Sequence, residues 1–198
     1  MQFNPSELQE KEVYKLLSGS VVPRPIAWVS TISEAEQLNL APFSFFTVAS
    51  RNPPMLCISI GPGVGERVGT EKDTLINIRS QQEFVINVVP VTLGNEMQKT
   101  SENLPSSVNE FEVAGLTPVD SHIVKPKRIK EAPINMECQL EQIIKLGNDY
   151  LIIGKMVQYH IQEEYYLGNY KINHDRLQPL GRLAGNYSET KDFLSLPR

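Results

Sequence analysis

Residues 23–50 read PRPIAWVSTISEAEQLNLAPFSFFTVAS. Ile26, Ala27, Trp28, Val29 and Ile32 fill a first apolar segment, and Phe43, Phe45, Phe46 and Val48 fill a second. Ser33, Glu34, Glu36 and Gln37 lie in the connection between them. Each segment has strand length, is rich in aromatic or β-branched residues and is bounded by proline or turn formers, which predicts a β-hairpin. Polar groups sit inside both segments. Ser30, Thr31, Asn39 and Ser44 carry short hydrogen-bonding side chains, and Pro25 and Pro42 lack a backbone donor. Sheet segments so equipped can offer a flat polar ligand both backbone and side-chain partners.

Outward from this stretch the chain alternates strands and turns. Upstream, Asn4, Pro5 and Glu7 suit the N-cap, N1 and N3 positions of a helix in an N-terminal arm, residues 1–20. Val13, Leu16 and Leu17 would form its apolar face and Gly19 its stop. Downstream, residues 55–60 (MLCISI) read as a strand that ends in Gly61-Pro62-Gly63-Val64-Gly65. That cluster lacks the glycine-lysine-Ser/Thr ending of a P-loop, and Glu66 stands where G-x-G-x-x-G needs its last glycine, so it reads as a flexible turn. Thr70-Glu71-Lys72-Asp73 has the form of a capping box that opens a helix through Leu75, Ile76 and Ile78. Lys72 and Thr74 would then lie in the first turn, where free N–H groups favour an anion. A well-capped helix with a solvated lysine fits the same residues.

Residues 83–89 alternate as a strand, 91–100 read as a helix, and 101–121 form a polar, turn-rich excursion. The basic run KPKRIK at 125–130 reads as a solvated edge, with a site for nicotinamide-nucleotide phosphates as the weaker alternative. Residues 135–146 and 150–161 flank Gly147-Asn148-Asp149, a hairpin signal. Six or seven strand-like segments with few helices, and no strand–helix alternation, predict a mainly β barrel with peripheral helices in a single domain over 1–198.

Composition narrows the function. A net charge of −4 and a pI near 5.5 supply no positive field for nucleic acid or anionic membrane. No apolar run approaches the roughly 20 residues of a membrane span, and the N-terminus lacks the pattern of a signal peptide. Cys57 and Cys138 imply no disulfide framework, so the expectation is a cytoplasmic protein with reduced thiols and an unused sequon at Asn186-Tyr187-Ser188. His122, His160 and His174 are too scattered for a metal site, and His160 suits a hydrogen-bonded structural role in a strand. There is no G-x-S-x-G nucleophile elbow, and Glu163-Glu164 sits in a polar, solvated run.

PRPIAWVST, NLAPFSFF, KDTLINI, VKPKRIKEAPINMECQLEQI and LQPLGRLAGNYS together resemble the flavin reductase-like family, over residues 16–187. The resemblance implies a Greek-key split β-barrel that binds FMN, as a homodimer with the flavin at or near the subunit interface. It implies that Asn39, Ala41, Ser44 and Phe45 line the ring and ribityl chain, with Trp28, Val29, Ser30 and Thr31 on the facing strand. Arg24, Lys72 and Thr74 would meet the phosphate, Asp73 would cap the helix, and Arg182 would approach from the tail of the same or a second subunit. Some of Trp28, Phe43, Phe45 and Phe46 must be core, because alternating strands cannot turn all four to one ligand. The implied reaction is reduction of flavin by NADH or NADPH, the reduced flavin then serving an electron acceptor or a partner oxygenase. Hydride passes between the two cofactors, so no side chain need be catalytic. An FMN-binding electron carrier or flavin-holding protein is the alternative. An unrelated structural barrel would require the matches at Pro23, Asn39, Lys72 and Gly181 to be accidental.

Overall fold

The computed structural model describes residues 1–191, 193, 194 and 196. The first half of the decisive stretch folds as its pattern predicts. β1 (Ala27–Ile32) pairs antiparallel with β2 (Leu38–Phe43), Ala27 opposite Phe43 and Ile32 opposite Leu38. Ser33 closes the connection, its N–H donating to the Gln37 carbonyl and its hydroxyl accepting from the Gln37 N–H. The second half differs: the expected single strand breaks at Ser44 and Phe45. β3 (Phe46–Arg51) pairs instead with β4 (Pro54–Ile60) at the far edge of the sheet. An unbroken strand would have put Phe43 and Phe45 on one face. The break sends Phe43 into the core, 6% exposed, and leaves Phe45 at the surface, 37% exposed.

The remaining strands are β5 (Glu83–Val88), the short pair β6 (Pro118–Val119) and β7 (Arg128–Ile129), the long hairpin β8 (Ile134–Leu146) and β9 (Asp149–Ile161), and a second short pair, β10 (Leu180–Arg182) and β11 (Tyr187–Glu189). Seven of them form one antiparallel sheet in the order β2-β1-β5-β8-β9-β4-β3. Ser59 N–H donates to the Phe45 carbonyl at 2.8 Å, so the corner leaving β2 is fastened to β4 and the sheet curls into a barrel. Its core joins both ends of the sheet: Val29 and Phe43 pack in one cluster with Leu56, Ile58 and Ile60, and Leu75 and Ile78 of α2 (Asp73–Gln81) close it. Gly154 is fixed by this packing, since a Cβ there would lie 2.3 Å from Phe84 Cζ. The other face of β1 is covered too. Trp28 packs with Met97 of α3 (Gly94–Lys99), Phe111 and Ala114 of α4 (Glu110–Ala114), Ile129 and Leu180. Burial on both faces explains why β1 reads as a near-continuous apolar run.

Several local expectations are corrected. Asn4 caps only a 3-10 turn, Pro5–Glu7; extended backbone at Leu8 separates it from α1 (Glu10–Ser20). That helix has its own capping box, Gln9 with Glu12, and runs through Gly19 to Ser20 with Val21 as its C-cap, because Gly19 does not adopt the left-handed conformation that would stop it. Leu16 and Leu17 are exposed. The 101–121 excursion contains α4 and β6, and the basic run is not wholly solvated: Arg128–Ile129 forms β7, and Ile129 is fully buried. His160 is structural in geometry, its Nε2 donating to the buried Glu137 carboxylate at 2.6 Å. Among the described residues no helix is long and apolar enough to cross a membrane.

Candidate functional site

A cavity of about 90 Å³ opens between β2, the start of α2, residues 100–104 and Glu110. Its β2 and α2 lining is backed by a polar network that reaches β1. Thr31 Oγ1 accepts from Asn39 Nδ2 and from Asn77 Nδ2, each at 3.0 Å, and Asn39 Nδ2 also donates to Thr74 Oγ1 at 3.1 Å. All four side chains are more than nine-tenths buried, so the network fixes the Asn39 amide and the Thr74 hydroxyl at the cavity surface. One wall is held by Trp28, whose Nε1 donates to Thr100 Oγ1 at 2.8 Å. Across it, Asn103 Nδ2 donates to the Val64 carbonyl, fastening 100–104 to the glycine-rich turn.

The expected capping box does not form. Lys72 is the N-cap and contributes no side-chain cap, and Thr70 Oγ1 donates to the Arg67 carbonyl instead. Asp73 is taken by Arg67 in a two-pronged pair, Nη1 to Oδ2 at 2.6 Å and Nη2 to Oδ1 at 2.7 Å. Two charge-assisted bonds outcompete one capping bond. Gly63 makes the pair reachable: its turn is so tight that a Cβ would meet the Arg67 carbonyl oxygen at 2.3 Å. Leu75 and Ile76 N–H both donate to the Lys72 carbonyl, which leaves the Asp73 and Thr74 N–H groups ahead of the first intrahelical bond.

Three charged groups on the cavity, Lys72, Glu110 and the exposed Glu102, lack ionic partners among the described residues. The Lys72 ammonium stands 5.4 Å from the centre of the Phe43 ring; burial holds its pKa below the usual lysine range, against the pull of Asp149. Glu110 is 8% exposed, and the Leu40 N–H donates to its Oε2 at 3.1 Å. Burial pushes the Glu110 carboxyl up, against the backbone N–H groups of Glu110 itself and Leu40.

Of the residues singled out from the sequence, Asn39, Ala41, Lys72, Asp73 and Thr74 come together on this cavity. Thr31 and Trp28 stand behind it, through Asn39 and Thr100. Val29 faces the barrel core, and Ser30 Oγ donates to the Lys127 carbonyl. Arg24, Ser44, Phe45 and Arg182 gather elsewhere. The Arg24 guanidinium donates to the Ser18, Val21 and Leu183 carbonyls and to Ser44 Oγ, and lies over the Phe45 ring, while its backbone pairs with Arg182. Arg182 stacks on Tyr187. Arg67, Glu110 and the 100–104 segment were not singled out. The turn at Gly63 that delivers Arg67 was visible only as a glycine cluster.

The profile of the family described as "Flavin reductase like domain" matches residues 18–178. The chain is 36% identical to the solved nitrilotriacetate monooxygenase component B from Bacillus cereus, over 99% of this chain and 98% of that one, with a TM-score of 0.94. It is 31% identical to the Pseudomonas fluorescens 2-nitrobenzoate 2-nitroreductase NbaA, over 100% and 96%, with a TM-score of 0.89. A split barrel domain protein from Shewanella frigidimarina NCIMB 400 shares the fold at 19% identity, over 100% and 99%, with a TM-score of 0.85. The curled seven-stranded sheet is therefore a split β-barrel, and this chain belongs to the flavin reductase-like family.

Proposed function

We propose that the chain binds FMN and works as an NAD(P)H-dependent flavin reductase, a flavoprotein oxidoreductase. The observation that carries the reading is the unpaired Lys72 ammonium beside the Thr74 hydroxyl and the free N–H groups at the start of α2, a donor set suited to a phosphate monoester. A volume of about 90 Å³ is well below the roughly 300–1,000 Å³ that whole small-molecule ligands fill. It fits the phosphate and inner ribityl end of the nucleotide, with the Asn39 amide and Glu110 as partners for hydroxyl groups. The ring then lies outside, toward Ala41, Ser44 and Phe45, and Arg24 serves to hold that corner rather than to meet phosphate.

When bound, the flavin supplies the electron chemistry, accepting hydride from a nicotinamide. The protein binds the charged tail, fixes the ring against a rigid strand and shields it from water. A ring outside the cavity needs a second wall. Tyr14, Leu17, Val21 and Phe45 are exposed around the corner that Arg24 ties, and a second copy of the chain closing there would make the working unit a homodimer. The relative named as a monooxygenase component supports a role in delivering reduced flavin to a partner oxygenase. Absorbance of the purified protein with FMN, followed by anaerobic NADH and NADPH, tests the reading. Rapid bleaching is expected. Bleaching by dithionite alone would make the protein a carrier, and no FMN binding would remove the flavin assignment.

A further inference from the structure

The cavity that takes the phosphate in this reading also contains three carboxylates, the exposed Glu102 together with Asp73 and Glu110, an unusual choice of lining for an anion. They are not alike. Asp73 is neutralised by Arg67 through two short bonds and can remain ionised beside an anion. Glu110 has no cation within ion-pairing distance among the described residues, is more than nine-tenths buried and accepts from one other residue, at Leu40 N–H. Its surroundings are well defined. β2, against which α4 packs, carries no charged residue; α3 carries Glu96 and Lys99; and the cavity itself presents Arg67, Lys72, Asp73 and Glu102. Lys72 and Arg67 face the three carboxylates Asp73, Glu102 and Glu110, so the lining carries a formal net negative charge before loading, with Glu102 exposed to solvent. A phosphate monoester then brings a further charge of about −1.5 to −2, and a buried carboxylate facing it would be strongly disfavoured.

We propose that Glu110 takes up a proton from solvent as the cofactor's phosphate enters, and that the resulting neutral carboxyl donates a hydrogen bond to the ligand. The step is a simple protonation: one proton leaves the buffer, and no other bond changes. Glu110 thereby couples retention of the flavin nucleotide to pH. The burial that already raises its proton affinity acts in the same direction. The inference rests on the FMN reading of this cavity.

The test counts protons bound per FMN by titration calorimetry in buffers of different ionisation enthalpy, from pH 6.5 to 9.5, on the full-length protein. Three proteins are compared: the unsubstituted chain, Glu110→Gln and Lys72→Arg. Glu110→Gln keeps an acceptor for Leu40 N–H. Lys72→Arg keeps the charge and removes a second, partly buried group able to gain a proton there, while Glu102 is exposed and Asp73 is held by Arg67. The expected result is an uptake approaching one proton in the unsubstituted chain, retained in Lys72→Arg and lost in Glu110→Gln. Over the same span the unsubstituted chain's FMN affinity should fall, by up to tenfold per pH unit, relative to Glu110→Gln. Equal proton counts in the unsubstituted chain and Glu110→Gln, or a count lost only in Lys72→Arg, would overturn the Glu110 assignment while FMN binding stood. Absence of binding in all three would overturn the FMN reading and this inference with it.

Discussion

Glu137 and Glu110 are both more than nine-tenths buried, yet among the described residues the first is met by four donors from other residues and the second by one. The backbone N–H groups of His122, Ile123 and Val124 reach Glu137 at 2.8, 2.7 and 3.1 Å, and His160 Nε2 at 2.6 Å. Burial pushes its pKa up, but these donors override it and hold the carboxyl below the usual range. At Glu110 burial wins. A carboxylate whose lone pairs are filled by its own chain is a structural clamp, here pinning the 122–124 loop to β8. One left partly open on a cavity retains capacity for a ligand.

The same substitution at both sites tests that contrast most severely. In Glu137→Gln the amide presents N–H where the loop already presents N–H, so an acceptor is lost and a clash of donors is created. A loss of about 2–5 kcal/mol is expected from charged bonds worth roughly 1.5–3 kcal/mol each. In Glu110→Gln the amide oxygen still accepts from Leu40, and the change should stay within about 1 kcal/mol. Urea unfolding of the two variants measures both. Equal losses would mean that Glu110 is as structural as Glu137.

Lys72 extends the contrast to cations. Arg24 spends its guanidinium on three carbonyls and a hydroxyl, whereas Lys72 has no ionic partner among the described residues. Lys72→Met should weaken FMN binding by roughly 10- to 150-fold, the equivalent of a charged hydrogen bond of about 1.5–3 kcal/mol. Its stability should not fall, since the folded chain already disfavours the ammonium by burying it. Fluorescence titration with FMN and a melting curve together decide the point; a variant that loses stability but not affinity would place Lys72 with Arg24.

Much of this was legible in residue order. The prolines, aromatics and β-branched runs fixed β1, β2, β4 and the long β8–β9 hairpin, and the KDT run brought Lys72, Asp73 and Thr74 to the start of a helix. The rest depends on distant approaches. Glu110 reaches Leu40 across 70 positions, and Arg24 reaches Leu183 across 159, so a cation left open on a cavity and a tied-down arginine look alike in the sequence. The capping box failed because Arg67 claimed Asp73, a competition invisible until the Gly63 turn is built. The second hairpin segment broke because Phe43 and Phe45 go to different environments, which a run of aromatics does not announce.

The pH dependence of stability separates the carboxylates further. The Glu137 carboxyl is held low, so its contribution is present above the unfolded value of about 4.3 and is lost as pH falls through the lower folded value. Burial chiefly lowers the His160 pKa, against its bond to Glu137, so the unfolded chain binds the proton more readily. Its penalty begins as pH drops through about 6.5, in the same direction. Glu110 is raised, and its effect has the opposite sign: stability falls as pH rises from about 4.3 through the folded value. Relative to the unsubstituted chain, Glu110→Gln should therefore gain stability toward neutral pH, and Glu137→Gln should show a flatter acid limb. Unfolding free energies from pH 4 to 8 read both slopes, and parallel profiles would dissolve the distinction.

The smallest effect belongs to Thr74, where the two kinds of polar site meet. Its hydroxyl belongs to the buried network through Asn39, yet it also lines the cavity. Thr74→Val keeps the shape and removes the oxygen. Asn39 Nδ2 retains Thr31 Oγ1 as an acceptor, so the stability cost should be only about 0.5–1.5 kcal/mol. FMN affinity should fall by a similar free energy, up to roughly tenfold, if the hydroxyl also meets the ligand. Thr74→Ser restores the oxygen and should recover both properties. Recovery of stability without recovery of affinity would assign Thr74 to the scaffold alone, leaving Lys72, the free N–H groups and Glu110 to hold the ligand.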